Sequence, residues 1–110
     1  MTEPRAELLQ GTLDILVLKT LASGPLHGWG ISKRIQQVSR ELLTVNQGSL
    51  YPALYRLEDR GFVAGEEGHS DEGRRIKLYR LTPGGRRELA REIESWERFA
   101  TGMRYVLGTG

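Results

Sequence analysis

The sequence of 110 residues contains no cysteine, two histidines and four prolines. Without cysteine the chain has no disulfide, no thiolate metal ligand and no cysteine nucleophile, which agrees with a reducing cytoplasm. No apolar run reaches the roughly 18 residues that span a bilayer, and the polar start of the chain is unlike a signal peptide. We therefore expect a soluble, cytoplasmic protein without a membrane partner.

Strong net charge is also missing, since the formal charge is +2 and the pI is about 9.2. The placement of charge is more informative, because basic side chains concentrate in the middle of the chain whereas Glu92, Glu94 and Glu97 lie toward its end. A basic cluster favours a nucleic-acid partner. The length fits one domain, and so short a chain buries only about two thirds of its unfolded surface, so a partner subunit would stabilise it.

Patterns for catalysis and cofactor binding are missing as well. His69, Ser70 and Asp71 are neighbours in one loop, and neighbours in a turn do not form the relay of a hydrolase triad. No glycine-rich segment follows a strand and opens a helix, so phosphate-binding loops are absent. No histidine or carboxylate stands at ligand spacing from His27, which we expect to cap or pack against a helix. We expect no enzyme activity, no catalytic residue, no metal and no cofactor.

The first helical segment, residues 8–21, is apolar around nearly its whole circumference. A helix of this kind is buried on more than one side. The other elements of so small a domain are too few to cover it, so we expect a second subunit to cover part of it. The alternative is a central core helix that its own chain encloses.

Two shorter helices follow, each with one apolar face at spacings of three and four residues. Their inward positions are Ile31, Ile35 and Val38 in the second helix and Leu50, Leu54 and Leu57 in the third. The sequence allows two N-cap residues for the third helix. With Ser49 as the N-cap, Pro52 falls in the first turn, where its missing N–H is harmless. With Asn46 as the N-cap, Pro52 costs one internal hydrogen bond.

Two extended segments come next, residues 62–67 and 74–81, and a polar stretch bounded by glycines joins them at 68–73. This pattern predicts a hairpin with a mobile loop. One face of the second segment is apolar near the domain, at Tyr79 and Leu81, and basic toward the tip of the hairpin.

A last helix over residues 83–107 begins with Thr82 as a cap and Pro83 at its first position. Its apolar residues recur at spacings of four and three over about 36 Å, which is longer than the compact body it leaves. Such a helix needs another surface to lie against, and we expect that surface to be a second copy of the chain. The expected dimer interface comprises Leu9, Leu13, Leu16, Leu89, Ile93, Trp96, Phe99, Met103 and Val106.

Three helices, a two-stranded hairpin and a long last helix define a mostly α chain with a small β-hairpin. Its architecture is a winged helix-turn-helix with a C-terminal dimerisation helix. We expect a flexible N-terminal arm over residues 1–7, the winged-helix domain over 8–82, the dimerisation helix over 83–107 and a short tail over 108–110.

The outward face of the third helix suits a DNA groove, because small residues allow close approach and hydroxyl, amide and guanidinium groups bond phosphates or base edges. Basic residues of the hairpin reach the DNA backbone or the minor groove beside it. The expected DNA-binding residues are Lys33, Arg34, Gln47, Ser49, Tyr51, Pro52, Tyr55, Arg56, Arg74, Arg75 and Lys77. The alternatives are an ordinary solvated helix face and a hairpin with solvated ion pairs.

Four sequence blocks in this order resemble the PadR family of transcriptional regulators. They are GTLDIL at residues 11–16, GPLHGWGI at 24–31, GSLYPALYRLE at 48–58 and RRIKLYRLT at 74–82. The resemblance runs from about Gln10 to the C-terminus and is most specific in its central block. It implies a winged-helix homodimer that represses promoters through double-stranded DNA, with the last helix as the dimer interface.

The resemblance also carries residue roles. It places Tyr51 and Pro52 in the recognition helix and Arg75 and Lys77 in the wing. Leu78 stands where the family usually has an aromatic residue, so the packing of the wing differs here. The single C-terminal helix resembles that of the shorter branch of the family.

The sequence therefore predicts a sequence-specific transcriptional repressor that acts as a homodimer on a pseudo-palindromic site. Trp96 and Phe99 form the candidate pocket for a small aromatic effector, because a Trp96 side chain from each subunit would stack a flat compound. The alternative is a winged-helix module that binds protein or a small ligand and has little affinity for DNA. A DNA-binding assay separates the two hypotheses.

Overall fold

The computed structural model describes residues 5–108, and it describes side chains from residue 11 onward. Within this range four helices and three strands follow one another: α1 (Arg5–Leu21), β1 (Leu26–His27), α2 (Gly28–Val38), α3 (Gln47–Asp59), β2 (Val63–His69), β3 (Arg75–Leu81) and α4 (Pro83–Leu107). The predicted fold class is confirmed. Helix α1 begins before the expected end of the N-terminal arm, and the rest of the arm and the side chain of Leu9 lie outside the described residues.

Side-chain caps set where α2 and α4 begin. The Gly30 N–H donates to Nδ1 of His27 over 3.0 Å, so His27 is the N-cap of α2. The Gly85 N–H donates to Oγ1 of Thr82 over 3.0 Å, and Pro83 follows in the first turn of α4. Both caps satisfy a backbone donor that the helix leaves unpaired. The capping role expected for His27 and the Thr82 start of α4 are confirmed.

The structure decides between the two possible starts of α3. The Ser49 N–H donates to Oδ1 of Asn46 over 2.8 Å, and α3 begins directly after Asn46. Pro52 therefore lies inside the helix, where it removes one internal hydrogen bond. Because Pro52 is exposed, its ring extends outward from α3 and is available to a partner.

Helix α1 is the centre of the core and contacts α2, α3, α4 and β3. The core consists of Leu13, Val17, Leu18, Leu21, Ile31, Ile35, Leu50, Ala53, Leu54, Leu57, Val63, Tyr79, Leu81 and Leu89. Between residues 11 and 21, most of the apolar surface of α1 is thus covered within one chain, which agrees with the core-helix alternative, and Ile15 and Leu16 are only partly buried. This part of α1 is therefore weaker support for a dimer than the sequence suggested.

Val38 is the one predicted inward residue of α2 that is wrong, since 73% of its surface is exposed. It is the last residue of α2, and the chain turns away through Arg40 and Glu41, whose φ angles are positive at 54° and 65°. Among the described residues, none between Val38 and Val45 packs against the core. The apolar face of α2 ends at Ile35.

The three strands form one antiparallel sheet in the order β1-β3-β2. β2 and β3 are the predicted hairpin, in register from Val63 opposite Leu81 to His69 opposite Arg75. The predicted face of β3, apolar near the domain and basic toward the tip, is confirmed, because Tyr79 and Leu81 are buried and Arg75 is exposed. β1 was not predicted. It pairs with the middle of β3 and thereby holds the start of α2 against the wing.

The described part of the chain contains no helix that is both long and apolar enough to cross a membrane.

Candidate nucleic-acid interface

Helix α3 buries one face and presents the other to solvent, as predicted. Leu50, Ala53, Leu54 and Leu57 are buried against the core. The residues expected on the outer face are exposed or half-buried: Gln47, Ser49, Tyr51, Pro52, Tyr55 and Arg56. The Tyr51 and Tyr55 rings lie 6.3 Å apart, so two aromatic side chains one turn apart form the middle of this face.

Tyr51 contacts the start of α2 because Gly28 lacks a side chain. A Cβ atom at Gly28 would overlap the hydroxyl of Tyr51 and lie 2.6 Å from its Cζ. Gly28 itself is buried at the first position of α2. The missing side chain therefore allows α2 and α3 to approach at this point and leaves room for the Tyr51 ring.

A cleft of about 600 Å³ opens between these helices and the wing. We call it the wing cleft, and it is lined by His27, Gly28, Trp29, Tyr51, Ser70, Glu72, Arg74, Arg75, Ile76, Lys77 and Tyr79. It brings together four of the residues predicted to bind DNA, from two segments more than 20 positions apart in the sequence. The start of α2, the middle of α3 and the basic strand of the wing thus share one concave surface.

Two arginines at the tip of the wing are held only weakly. Arg74 and Arg75 are exposed, and Nη2 of Arg75 is 4.0 Å from Oε1 of Glu67. An exposed ion pair at that distance contributes less than about 1 kcal/mol. A phosphate group can therefore replace Glu67 as the partner of Arg75 at little cost.

Lys77 is placed differently from the two arginines. Its Nζ is 3.4 Å from Oε1 of Glu58 in α3 and 5.4 Å from the centroid of the Tyr79 ring. The side chain of Lys77 lies across Gly65 of the neighbouring strand, where a Cβ atom would overlap it. Lys77 therefore ties the wing to α3, which sets the width of the wing cleft.

Arg56 and Gln47 are likewise engaged within the chain. Nη2 of Arg56 lies 3.1 Å from Oδ1 of Asp14 in α1, and Nε2 of Gln47 donates to Oγ of Ser32 in α2 over 3.1 Å. Burial raises the pKa of Asp14 even though the nearby guanidinium of Arg56 lowers it. Both contacts position α3 on the core, and the sequence alone did not reveal them.

The two basic residues of α2 point to different parts of the surface. Lys33 lies beside the ring of Trp29, with Nζ 4.8 Å from its centroid. Arg34 lines a small depression beside the turn that follows α1, with Ser23 and Pro25. Lys33 is thus close to the wing cleft, whereas Arg34 lies apart from it.

The second half of α4 presents an exposed apolar surface. Among residues 83–107, the buried ones are confined to the first two turns, at Gly85, Glu88 and Leu89. Beyond them Trp96, Phe99, Met103 and Val106 are 44%, 55%, 44% and 85% exposed, and we call these four the α4 stripe. The Trp96 and Phe99 rings lie 5.8 Å apart.

Four further residues of the predicted dimer interface are less accessible. Leu13 and Leu89 are 4% and 8% exposed and belong to the core of the single chain. They have almost no surface left for a second subunit, because the core of the same chain already covers them. Leu16 and Ile93 are partly buried against the same core, so each retains a partly exposed side chain.

Helices α1 to α3 with the sheet behind them form a winged helix, a helix-turn-helix unit with a β-hairpin wing. The profile of the Transcriptional regulator PadR-like family matches residues 17–91, which include all of the wing cleft. The chain belongs to the PadR-like family of transcriptional regulators, and membership of this family implies DNA binding.

Individual relatives and a solved structure are similar to the chain over most of its length. Transcriptional regulator Rv3488 of Mycobacterium tuberculosis is 34% identical over 102 residues, which are 93% of this chain and 89% of that protein. An uncharacterized 37.1 kDa protein in transposon TN4556 of Streptomyces fradiae is 45% identical over 87 residues, which are 79% of this chain and only 24% of that protein. The structure of a PadR family transcriptional regulator from Eggerthella lenta superposes with a TM-score of 0.77 at 31% identity, covering 94% of this chain and 88% of that one.

Proposed function

We propose that this regulator is a sequence-specific DNA-binding repressor that acts in the cytoplasm as a homodimer. The observation that carries the proposal is the wing cleft, where the outer face of α3 and the arginines of the wing converge. A helix in the major groove reads base edges, and a basic wing beside it binds the phosphate backbone at the same time.

The proposed contacts fall into two groups. The outer face of α3 enters the major groove with Ser49, Tyr51, Pro52 and Tyr55, and Gln47 lies at its leading end. Arg74 and Arg75 of the wing and Lys33 of α2 bind phosphates beside the wing cleft, and Arg34, which lies apart from the cleft, binds a phosphate farther along the backbone. Arg56 and Lys77 act mainly by positioning, because their cationic groups already lie beside Asp14 and Glu58.

The α4 stripe supports the dimer. A soluble chain rarely exposes several large apolar side chains in one row unless they form a binding site, and α4 extends well beyond the core that its first two turns contact. Two copies joined through the stripe, with Ile93 and Leu16 at its edge, present two α3 helices. These would enter successive major grooves about 34 Å apart on a pseudo-palindromic site, and occupancy of that site would block transcription.

The ring pair of Trp96 and Phe99 favours one addition to this function. At a dimer axis these rings and their copies would enclose a flat aromatic compound. A compound that binds more tightly to one spacing of the two α3 helices shifts the dimer toward that spacing. The affinity for DNA then changes by no more than the difference between the binding free energies of the compound for the two spacings. We propose such an effector for this site, and calorimetric titration of planar aromatic compounds into the protein with and without Trp96→Ala tests it.

The test of DNA binding is fluorescence anisotropy with the DNA upstream of the gene and a random duplex of equal length, over a series of salt concentrations. We expect tighter binding to the upstream DNA and an affinity for both that falls steeply with salt. Arg75→Ala should weaken both and reduce the salt slope by about one unit. Arg98→Ala is the matched control, because Arg98 is also an exposed arginine paired with a glutamate, at 3.6 Å. Equal and salt-independent binding to both duplexes would contradict the repressor and favour the protein-interaction module.

The test of the dimer is light scattering on the protein and on its Trp96→Glu and Phe99→Glu variants. We expect the mass of a dimer for the protein and of a monomer for each variant. Asp59→Ala changes an exposed residue of α3 and should leave the mass unchanged. An unchanged mass in both stripe variants would show that the α4 stripe is not the interface.

A further inference from the structure

Trp29 is the largest side chain at the rim of the wing cleft, and its ring is held outside the core. It is 59% exposed at the second position of α2 and does not belong to the core cluster. Its ring stacks on His27, with centroids 6.1 Å apart and an angle of 24° between the planes. Nζ of Lys33 lies 4.8 Å from the centroid of the same ring.

These contacts fix the orientation of the indole without burying it. His27 is itself held as the cap of α2 by the Gly30 N–H, so the surface against which the indole stacks is rigid. Folding gains little from a tryptophan that remains more than half exposed, whereas a rigid and exposed indole is typical of a contact for a partner. The fixed ring therefore indicates a binding role.

The position of Trp29 identifies the partner. The ring lines the wing cleft with Arg74 and Arg75 on one side and a second depression with Lys33 and Gln36 on the other. It thus lies between the basic residues of the wing and Lys33, next to α3, and one acidic residue lines each depression, Glu72 and Glu41. In a helix-turn-helix unit the helix that precedes the recognition helix crosses the DNA backbone, and Trp29 lies in that helix, α2.

We propose that Trp29 and Lys33 bind the sugar–phosphate backbone of the DNA strand that borders the groove occupied by α3. The indole N–H donates to a phosphate oxygen, the face of the ring packs on a deoxyribose, and the Lys33 ammonium pairs with the next phosphate. Glycines precede and follow Trp29 in the chain, so the two residues next to it add no side chain that would obstruct the approach of the backbone. The inference rests on the proposed DNA-binding function and adds to it a contact that is independent of base sequence.

Affinity measurements on Trp29→Ala test the inference. We expect binding to weaken about fivefold to tenfold, because the variant loses one hydrogen bond and the apolar contact of the ring. The factor should be the same for the upstream DNA and for a random duplex at low salt. Tyr105→Ala is the matched control, because Tyr105 is an exposed aromatic residue near the far end of α4. The thermal midpoint of Trp29→Ala should stay close to that of the unchanged protein, since the ring is outside the core.

Fluorescence gives a second readout that does not depend on affinity. The chain has two tryptophans, Trp29 and Trp96, so the difference between the spectra of the protein and of Trp29→Phe, each saturated with DNA, isolates the emission of Trp29. We expect DNA to quench this emission and to protect Trp29 from acrylamide.

Each failure has a distinct meaning. If the unchanged protein binds neither duplex, the proposed function is wrong and this inference falls with it. If the protein binds DNA but Trp29→Ala binds equally well and the emission of Trp29 does not change, only the inference is wrong. If the loss is confined to the upstream DNA, the ring reads bases, and the backbone contact is overturned.

Discussion

Gly85, in the first turn of α4, packs directly against the carbonyl oxygen of Phe62. A Cβ atom at Gly85 would overlap that oxygen and lie 3.0 Å from its carbonyl carbon and 2.6 Å from Cδ1 of Leu81. The same oxygen accepts the Thr82 N–H over 3.1 Å, so the backbone cannot withdraw without breaking this bond. We expect Gly85→Ala to lower the free energy of unfolding by about 1–3 kcal/mol, as for other overpacked sites.

The neighbouring glycine provides the control for this prediction. A Cβ atom at Gly84 would lie 3.7 Å from the nearest atom, the carbonyl oxygen of Gly61, which is ordinary contact. We therefore expect Gly84→Ala to leave stability unchanged or to raise it by up to about 1 kcal/mol through lower entropy of the unfolded chain. Urea unfolding of both variants checks the pair, and a loss of equal size in the two would refute the argument from the Phe62 oxygen.

The close approach of Gly28 and Tyr51 gives a prediction about DNA recognition. The atoms that a Cβ at Gly28 would overlap belong to the far end of the Tyr51 side chain, which can swing aside. We expect Gly28→Ala to cost less than about 2 kcal/mol in stability but to displace Tyr51 and reduce the preference for the upstream DNA over a random duplex. Anisotropy with the two duplexes measures this preference.

A double-mutant cycle tests the route of that effect. If Gly28→Ala acts by moving Tyr51, it should have no further effect on preference once Tyr51→Ala has removed the ring. A loss of preference that is the same in both backgrounds would show that the change at Gly28 acts independently of Tyr51.

Much of the fold could be predicted because its signals are local. The apolar spacing of α3 and the Thr82–Pro83 start of α4 depend on residues within a few positions of one another. β1 could not be predicted, because two residues are too few for an alternating pattern. Its strand conformation depends on pairing with Leu78 and Tyr79, about 50 positions away.

The candidate site was predicted less completely, for the same reason. The face of α3 follows from its period, but the partners of its charged groups come from other elements. Asp14 pairs with Arg56 across 42 positions, and Glu58 pairs with Lys77 across 19. Sequence patterns predicted both cations as DNA contacts and could not show that they were engaged. Trp29 was missed because nothing in its local pattern distinguishes an exposed indole from a packed one.

Asp14 gives a prediction about acid stability. Burial raises its pKa in the folded chain above 3.8, and the nearby Arg56 only partly offsets this. Its stabilising contribution is therefore complete below pH 3.8 and is lost as the pH rises through the folded pKa. Asp14→Asn stays neutral at every pH. We therefore expect its free energy of unfolding to increase relative to that of the unchanged protein as the pH rises through the folded pKa of Asp14. Urea unfolding from pH 3 to pH 7 measures the difference.

Glu88 provides a comparison of opposite sign. A hydrogen bond from Arg91 lowers the pKa of this buried carboxyl below its usual value of 4.5. Its contribution is therefore present above pH 4.5 and is lost as the pH falls through the folded pKa. Glu88→Gln should be less stable than the unchanged protein at pH 7, and the two should converge in acid. Parallel pH profiles for the Asp14 and Glu88 variants would contradict both assignments.

Tyr79 predicts a loss of stability in alkali. Burial in the core raises its pKa from 10.0 to about 12, and the nearby Tyr55 and Glu58 add to the shift. The unfolded chain releases this proton first, so the contribution of Tyr79 is complete below pH 10 and is lost as the pH rises toward 12. The loss amounts to about 2 kcal/mol at pH 12. Tyr79→Phe removes only the hydroxyl, so we expect nearly equal stability at pH 8 and a smaller loss than in the unchanged protein between pH 10 and pH 12. Chemical unfolding over this range measures the stability of both proteins. An equal loss in the two would show that folding does not raise the pKa of Tyr79.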